Sequence, residues 1–107
     1  MDYEIDSYGN KCWYKKGFRH RTDGPAVEGI NGYKAWWVEG KLHRTDGPAI
    51  EYVNGDKSWY VEDKCHRVDG PAIEDVGGYK AYYYLGKKVE CNSDEEYFKL
   101  LKLKAFW

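Results

Sequence analysis

The residues of this chain best suited to chemistry come in three matching sets. His20-Arg21, His43-Arg44 and His66-Arg67 are each followed, after one further residue, by Asp23, Asp46 or Asp69. A histidine beside a carboxylate is the usual equipment of general acid–base catalysis, and both are metal ligands. Neither use fits the spacing. The sets recur every 23 residues. If each copy is one step of a sheet two strands wide, equivalent side chains lie about 9.5 Å apart, far beyond the span of zinc–nitrogen bonds of about 2.1 Å. Within one copy only two ligands are on offer. An active site is built once, whereas this set is built three times. The expectation is structural: each Asp caps the turn ahead of the following Gly-Pro through an Asx-type bond, and each Arg pairs with an acid or stacks on an aromatic ring. The chain has no Walker loop, dinucleotide fingerprint, Gly-x-Ser-x-Gly or paired-cysteine zinc motif. We therefore expect no catalytic residue, no metal and no cofactor: a protein that is not an enzyme.

The elements that carry these sets repeat with them. Gly24-Pro25, Gly47-Pro48 and Gly70-Pro71 open short strands Ala26-Val27-Glu28, Ala49-Ile50-Glu51 and Ala72-Ile73-Glu74. A proline at the first strand position removes no ladder bond that matters. Each strand then meets Asn31-Gly32, Asn54-Gly55 or Gly77-Gly78, pairs suited to a two-residue type I′ turn, and returns over 34–39, 57–62 or 80–85. With Asn54-Gly55 at the tip, Glu51 faces Ser58, Ile50 faces Trp59 and Ala49 faces Tyr60. This register buries Val27, Trp36, Val38, Ile50, Trp59, Val61, Ile73, Tyr82 and Tyr84 on one face, with branched aliphatics against rings. The other face carries Trp37, Tyr60 and Tyr83, each opposite an alanine and beside a glutamate. The connections 17–23, 40–46 and 63–69 are too long for tight turns and are expected to fold back over the sheet, taking His and Arg towards neighbouring units.

An incomplete first unit spans 2–19. Its opening residues alternate between Asp2, Glu4 and Asp6 and the apolar Tyr3 and Ile5, as a strand does. Its turn falls at Tyr8-Gly9 or at Gly9-Asn10, two choices that put Ile5 on opposite faces. Full repeats follow at 20–42, 43–65 and 66–88. The pattern then decays, with Val89-Glu90 where the next His-Arg belongs. Ser93-Asp94-Glu95-Glu96 matches a capping box, and Tyr97, Phe98, Leu100, Leu101 and Ala105 follow at helical spacing. We expect a helix over 93–105 that closes the open end of the stack.

Composition sets the remaining bounds. The 107 residues suit one domain, mainly β, and 17 basic against 18 acidic side chains give a formal net charge of -1. A binder of nucleic acid led by phosphate contacts carries a basic excess, so direct nucleic-acid binding is not expected. Eleven Tyr and five Trp make the core largely aromatic. The three cysteines, with no paired motif, read as small apolar fillers in a reducing compartment. No secretory leader or membrane-length apolar run is present, which points to the cytoplasm and away from membranes.

The hairpin tip, the aromatic pair on the return strand and the Gly-Lys ending resemble MORN-type repeats. Closest is the variant class with 23-residue repeats built on His-Arg-x-Asp-Gly-Pro-Ala. The resemblance covers most of the chain. It implies a twisted antiparallel sheet of repeated hairpins used to bind proteins. Similar repeats occur in bacteriophage and giant-virus proteins and in bacterial antitoxins. On that footing the expected role is a non-catalytic inhibitor, antitoxin-like and of phage type, that occludes a host or anti-phage defence protein in the host-cell cytoplasm. The expected contact surface is the row Tyr14, Trp37, Tyr60 and Tyr83, with Glu28, Glu51 and Glu74 setting partner choice; Trp, Tyr and Arg are the usual hot-spot residues. Two alternatives stand beside it: a sponge for a nucleotide or other small ligand, and a structural module that oligomerises through the edge strand Tyr3–Asp6.

Overall fold

A computed structural model describes residues 2–103 of the chain. The molecule is mainly β, with antiparallel strands in hairpins and one C-terminal helix. It forms a plate of 45 × 30 × 18 Å. The strands of the main sheet run β1 (Tyr3–Ile5), β2 (Lys11–Lys15), β4 (Val27–Glu28), β5 (Lys34–Ala35), β8 (Ile50–Glu51), β9 (Lys57–Ser58), β12 (Ile73–Glu74), β13 (Lys80–Tyr84) and β14 (Lys87–Val89), in that order. β3 (Phe18–Arg19) also pairs with β2, and two separate ribbons stand beside the sheet: β6 (Trp37–Val38) with β7 (Lys41–Leu42), and β10 (Tyr60–Val61) with β11 (Lys64–Cys65).

Each repeat thus makes two hairpins. The first turns at the Asn-Gly pair (Gly77-Gly78 in the third repeat), but not as a type I′ turn. Ile50 pairs with Ser58 and Glu51 with Lys57, one residue off the expected register. The Gly55 amide donates to the Tyr52 carbonyl and the Tyr52 amide to the Asp56 carbonyl, and Gly55 sits at φ +99°. This is a three-residue loop with a glycine bulge, in which Asn54 keeps negative φ and only the glycine needs the left-handed region. The first unit copies it: Gly9 donates to Asp6, and Ile5 pairs with Lys11. The two-residue turns lie instead in the connections. Glu39-Gly40 joins Val38 to Lys41, and Glu62-Asp63 joins Val61 to Lys64. Both residues of each pair have positive φ, from 50° to 80°, as a type I′ turn requires. Asp63 tolerates this because its Oδ1 accepts the Leu42 amide while its own amide donates to the Leu42 carbonyl.

A one-residue slip in a strand moves its side chains to the other face, and the face assignment changes accordingly. Cys12, Val27, Ala35, Ile50, Ser58, Ile73 and Ala81 lie opposite one another across the sheet. Tyr33, Trp37, Leu42 and Tyr60 pack against the buried cluster Cys12, Val27, Ala35 and Ile50. Trp36, Trp59 and Tyr82, expected with the aliphatics, share the opposite face with the fully buried Ala26, Ala49 and Ala72. That face also carries a ladder in which Lys11, Glu28, Lys34, Glu51, Lys57, Glu74 and Lys80 alternate in sign. Opposed cross-strand charges favour this pairing over a slipped one.

Helix α1 (Asp94–Leu103) ends the described chain; positions 104–105 of the expected helix lie outside it. Ser93 Oγ accepts the Glu96 amide, as a capping box requires. The Glu96 carboxylate reaches one residue further back than expected, to the Asn92 amide. Three acids in the first turn favour the positive end of the helix. Tyr97, fully buried, lies against Tyr82 and Val89 in a cluster at this end.

Candidate functional site

The His-Arg-x-Asp sets form identical sockets on the tryptophan face. Each Arg follows the second hairpin back over the tryptophan eight residues earlier. The guanidinium carbons of Arg21, Arg44 and Arg67 stand 3.8, 3.7 and 3.8 Å from the ring centroids of Trp13, Trp36 and Trp59. Arg44 Nε donates to Asp46 Oδ1, and its Nη1 donates to the Pro48 carbonyl and to Glu51 Oε2, all within 3.1 Å. Arg21 and Arg67 repeat these bonds with Asp23, Pro25 and Glu28, and with Asp69, Pro71 and Glu74. A planar fork that stacks and bonds in its own plane is a role lysine cannot fill. Glycine at 47 is equally specific, since a Cβ there would meet Arg44 Cζ at 2.8 Å. The Arg21 bond is the main cause holding the Asp23 carboxyl below its ordinary value. The Asp thus orients Arg through its side chain, where an Asx-type turn was expected.

The histidines fasten the start of each repeat to the second hairpin of the same repeat. The Nδ1 atoms of His20, His43 and His66 accept the backbone amides of Glu39, Glu62 and Leu85, at 3.0, 3.1 and 2.9 Å. An accepting Nδ1 is that of a neutral imidazole with its proton on Nε2. Burial lowers the pKa of His66 from its ordinary value. The Arg amides make the same kind of link, donating to the carbonyls of Trp37, Tyr60 and Tyr83 in the second hairpin of the same repeat. The Cys65 and Cys91 thiols are poor nucleophiles in this setting, since burial pushes Cys65 up to about 11 and raises Cys91.

The expected binding residues are divided between the two faces. Tyr14, Trp37, Tyr60 and Tyr83 share the aliphatic face, where Tyr14 is exposed and the other three are partly buried. Burial raises the pKa of the Tyr60 phenol. Arg19 lies over the Trp37 ring at 5.4 Å, and Tyr14, Phe18, Arg19, Trp37 and Gly40 line one shallow depression. Glu28, Glu51 and Glu74 are on the other face, bonded to the arginines; the slipped register parts them from the rings they were expected to flank. Tyr33 and Tyr52, 6.0 Å apart, extend the aromatic row and were not anticipated. Their signal was the two-residue alternation through Ala35 and Ile50, legible only in the correct register. The role of Trp13, Trp36 and Trp59 as seats for Arg was also missed, although a constant eight-residue offset marks it.

No family model, no curated protein and no solved structure matches this chain.

Proposed function

We propose that the chain is a non-catalytic repeat protein that binds another protein through its aromatic face. One observation carries this reading. The histidine, arginine and aspartate of every set are bonded internally in the same way three times over, whereas the rings of Tyr14, Trp37, Tyr60 and Tyr83 repeat at a constant pitch and stay partly open to solvent. Rings backed by a packed cluster lose little freedom on binding and serve well as anchors. The resemblance to MORN-variant repeats supports the same reading. Repeats of that kind in phage proteins and antitoxins direct the search to a host or defence protein whose working surface the plate would cover.

The test is capture of a partner by the tagged protein and by a Trp37→Ala/Tyr60→Ala variant shown to be folded by its cooperative melting. The variant is expected to lose the partner at least about tenfold, the share of a hot-spot pair. Undiminished capture rejects this surface. Copurification of a nucleotide with no protein would turn the reading to a small-ligand sponge.

A further inference from the structure

The tryptophan face holds two equivalent open grooves, one repeat apart. The first, about 570 Å³, runs between the loops of Arg21–Gly24 and Arg44–Asp46 over Trp36 and Val38. The second, about 500 Å³, runs between the loops of Arg44–Gly47 and Arg67–Asp69 over Trp59 and Val61. Thr45 and Asp46 belong to both and form the ridge between them.

The charge that reaches solvent here is negative. Each guanidinium is turned inward, stacked on its ring and shared with a glutamate. The side chains of Asp23, Asp46 and Asp69 are 79, 85 and 79 % exposed. Each gives Oδ1 to Arg Nε, and among the described residues its Oδ2 has no hydrogen-bond partner. Successive grooves are separated by two strands, about 9.5 Å. A polyproline II segment advances about 3.1 Å per residue with three residues per turn, so that every third side chain returns to the same edge after about 9.3 Å. A β-strand places same-face side chains about 6.7 Å apart and falls out of step.

The geometry points to a second docking surface, for an extended polyproline II segment of another protein with an apolar residue at every third position and Lys or Arg between. Apolar side chains at i and i+3 enter successive grooves on to Trp36 and Trp59. The intervening residues cross the Thr45 ridge, and their cations meet the outer oxygens of Asp23, Asp46 and Asp69. Two linked weak sites act as one stronger site when the spacing matches.

Fluorescence anisotropy with a labelled peptide of four Leu-Pro-Lys repeats tests this on the intact protein. Binding is expected, weakening with salt. Three Leu-Pro-Lys-Pro repeats, of equal length but wrong pitch, and four Leu-Pro-Glu repeats are each expected to bind at least about tenfold more weakly. Thr45 is exposed and bears no side-chain hydrogen bond among the described residues, so Thr45→Arg is expected to leave melting unchanged while lowering affinity at least about tenfold. Val68→Arg, at an exposed position of the second groove alone, is expected to act in the same direction. No binding up to about millimolar peptide, equal binding of the glutamate peptide, or indifference to both substitutions overturns the proposal. The Trp37→Ala/Tyr60→Ala variant acts on the other face and is expected to bind this peptide within about twofold of the parent; failure of either surface therefore leaves the other standing.

Discussion

The interior of the array and its C-terminal end cover the same kind of ring with different chemistry. In the interior, Trp36 and Trp59 lie under Arg44 and Arg67. At the end the equivalent ring is Tyr82, Val89 and Glu90 stand where His and Arg would, and Tyr97 from the helix lies 4.9 Å from the Tyr82 centroid. The interior socket is not self-sufficient. Its histidine needs an amide from the next turn, and its arginine amide needs a carbonyl from the next strand. A last unit has no such neighbour among the described residues, and a His-Arg pair there would bury polar groups without partners. The end is closed by groups that complete each other. The Tyr82 hydroxyl donates to Asp94 at 2.6 Å, and the Tyr97 hydroxyl shares its proton between the carbonyls of Arg67 and Tyr83. A repeat can be propagated by charged latches; it has to be ended by a packed apolar element.

The contrast breaks most sharply at Tyr97. Tyr97→Ala removes a fully buried ring and the bonds of its hydroxyl, and chemical denaturation is expected to show a loss of about 3–5 kcal/mol. Tyr97→Phe keeps the ring and should cost about 1 kcal/mol. If alanine costs no more than phenylalanine, the ring does not close the array. In the interior, Arg44→Ala leaves Glu51 and the Pro48 carbonyl without their donor and uncovers Trp36. A loss of about 2 kcal/mol is expected. Arg44→Lys should recover little of it, since an ammonium cannot stack and bond in one plane; full recovery would mean that charge alone matters.

The smallest effect is that of pH. With its folded-state pKa depressed, His66 stays neutral in the fold while the unfolded chain takes up a proton near the ordinary value of 6.5. The contribution of this latch is complete above that value and is lost as the pH falls through the depressed one. The melting temperature is expected to drop between about pH 7.5 and about pH 5.5, and less so in His66→Asn. A rise on acidification, or an unchanged slope in the variant, contradicts the latch.

The outlines of the sheet were legible in the residues. The period, the first hairpins, the breakdown of the pattern at Val89-Glu90 and the cap at Ser93 are all found where local pattern puts them. The register was not. Asn54-Gly55 fits a two-residue turn on local grounds, but the three-residue loop is the one that sets Glu51 against Lys57 and Ile50 against Ser58. The type I′ turn at Glu62-Asp63 has no glycine to announce it. It is held by hydrogen bonds to Leu42, 21 residues away in the chain. The aromatic row was read in part: Trp37, Tyr60 and Tyr83 lie on one face, but without the glutamates and with Tyr33 and Tyr52 added.

Turn propensity, strand alternation and helix capping act over a few bonds, so the period, the first hairpin of each repeat and the start of the helix follow from the residues alone. The second hairpin, set in connections that read as too long for tight turns, does not. Which ring meets which partner is settled between units. A slip of one residue costs little within a hairpin, yet it exchanges the two faces of the sheet. The choice therefore fell to contacts that exist only once several hairpins lie side by side: arginine on tryptophan, histidine on the next turn, and lysine opposite glutamate across every strand.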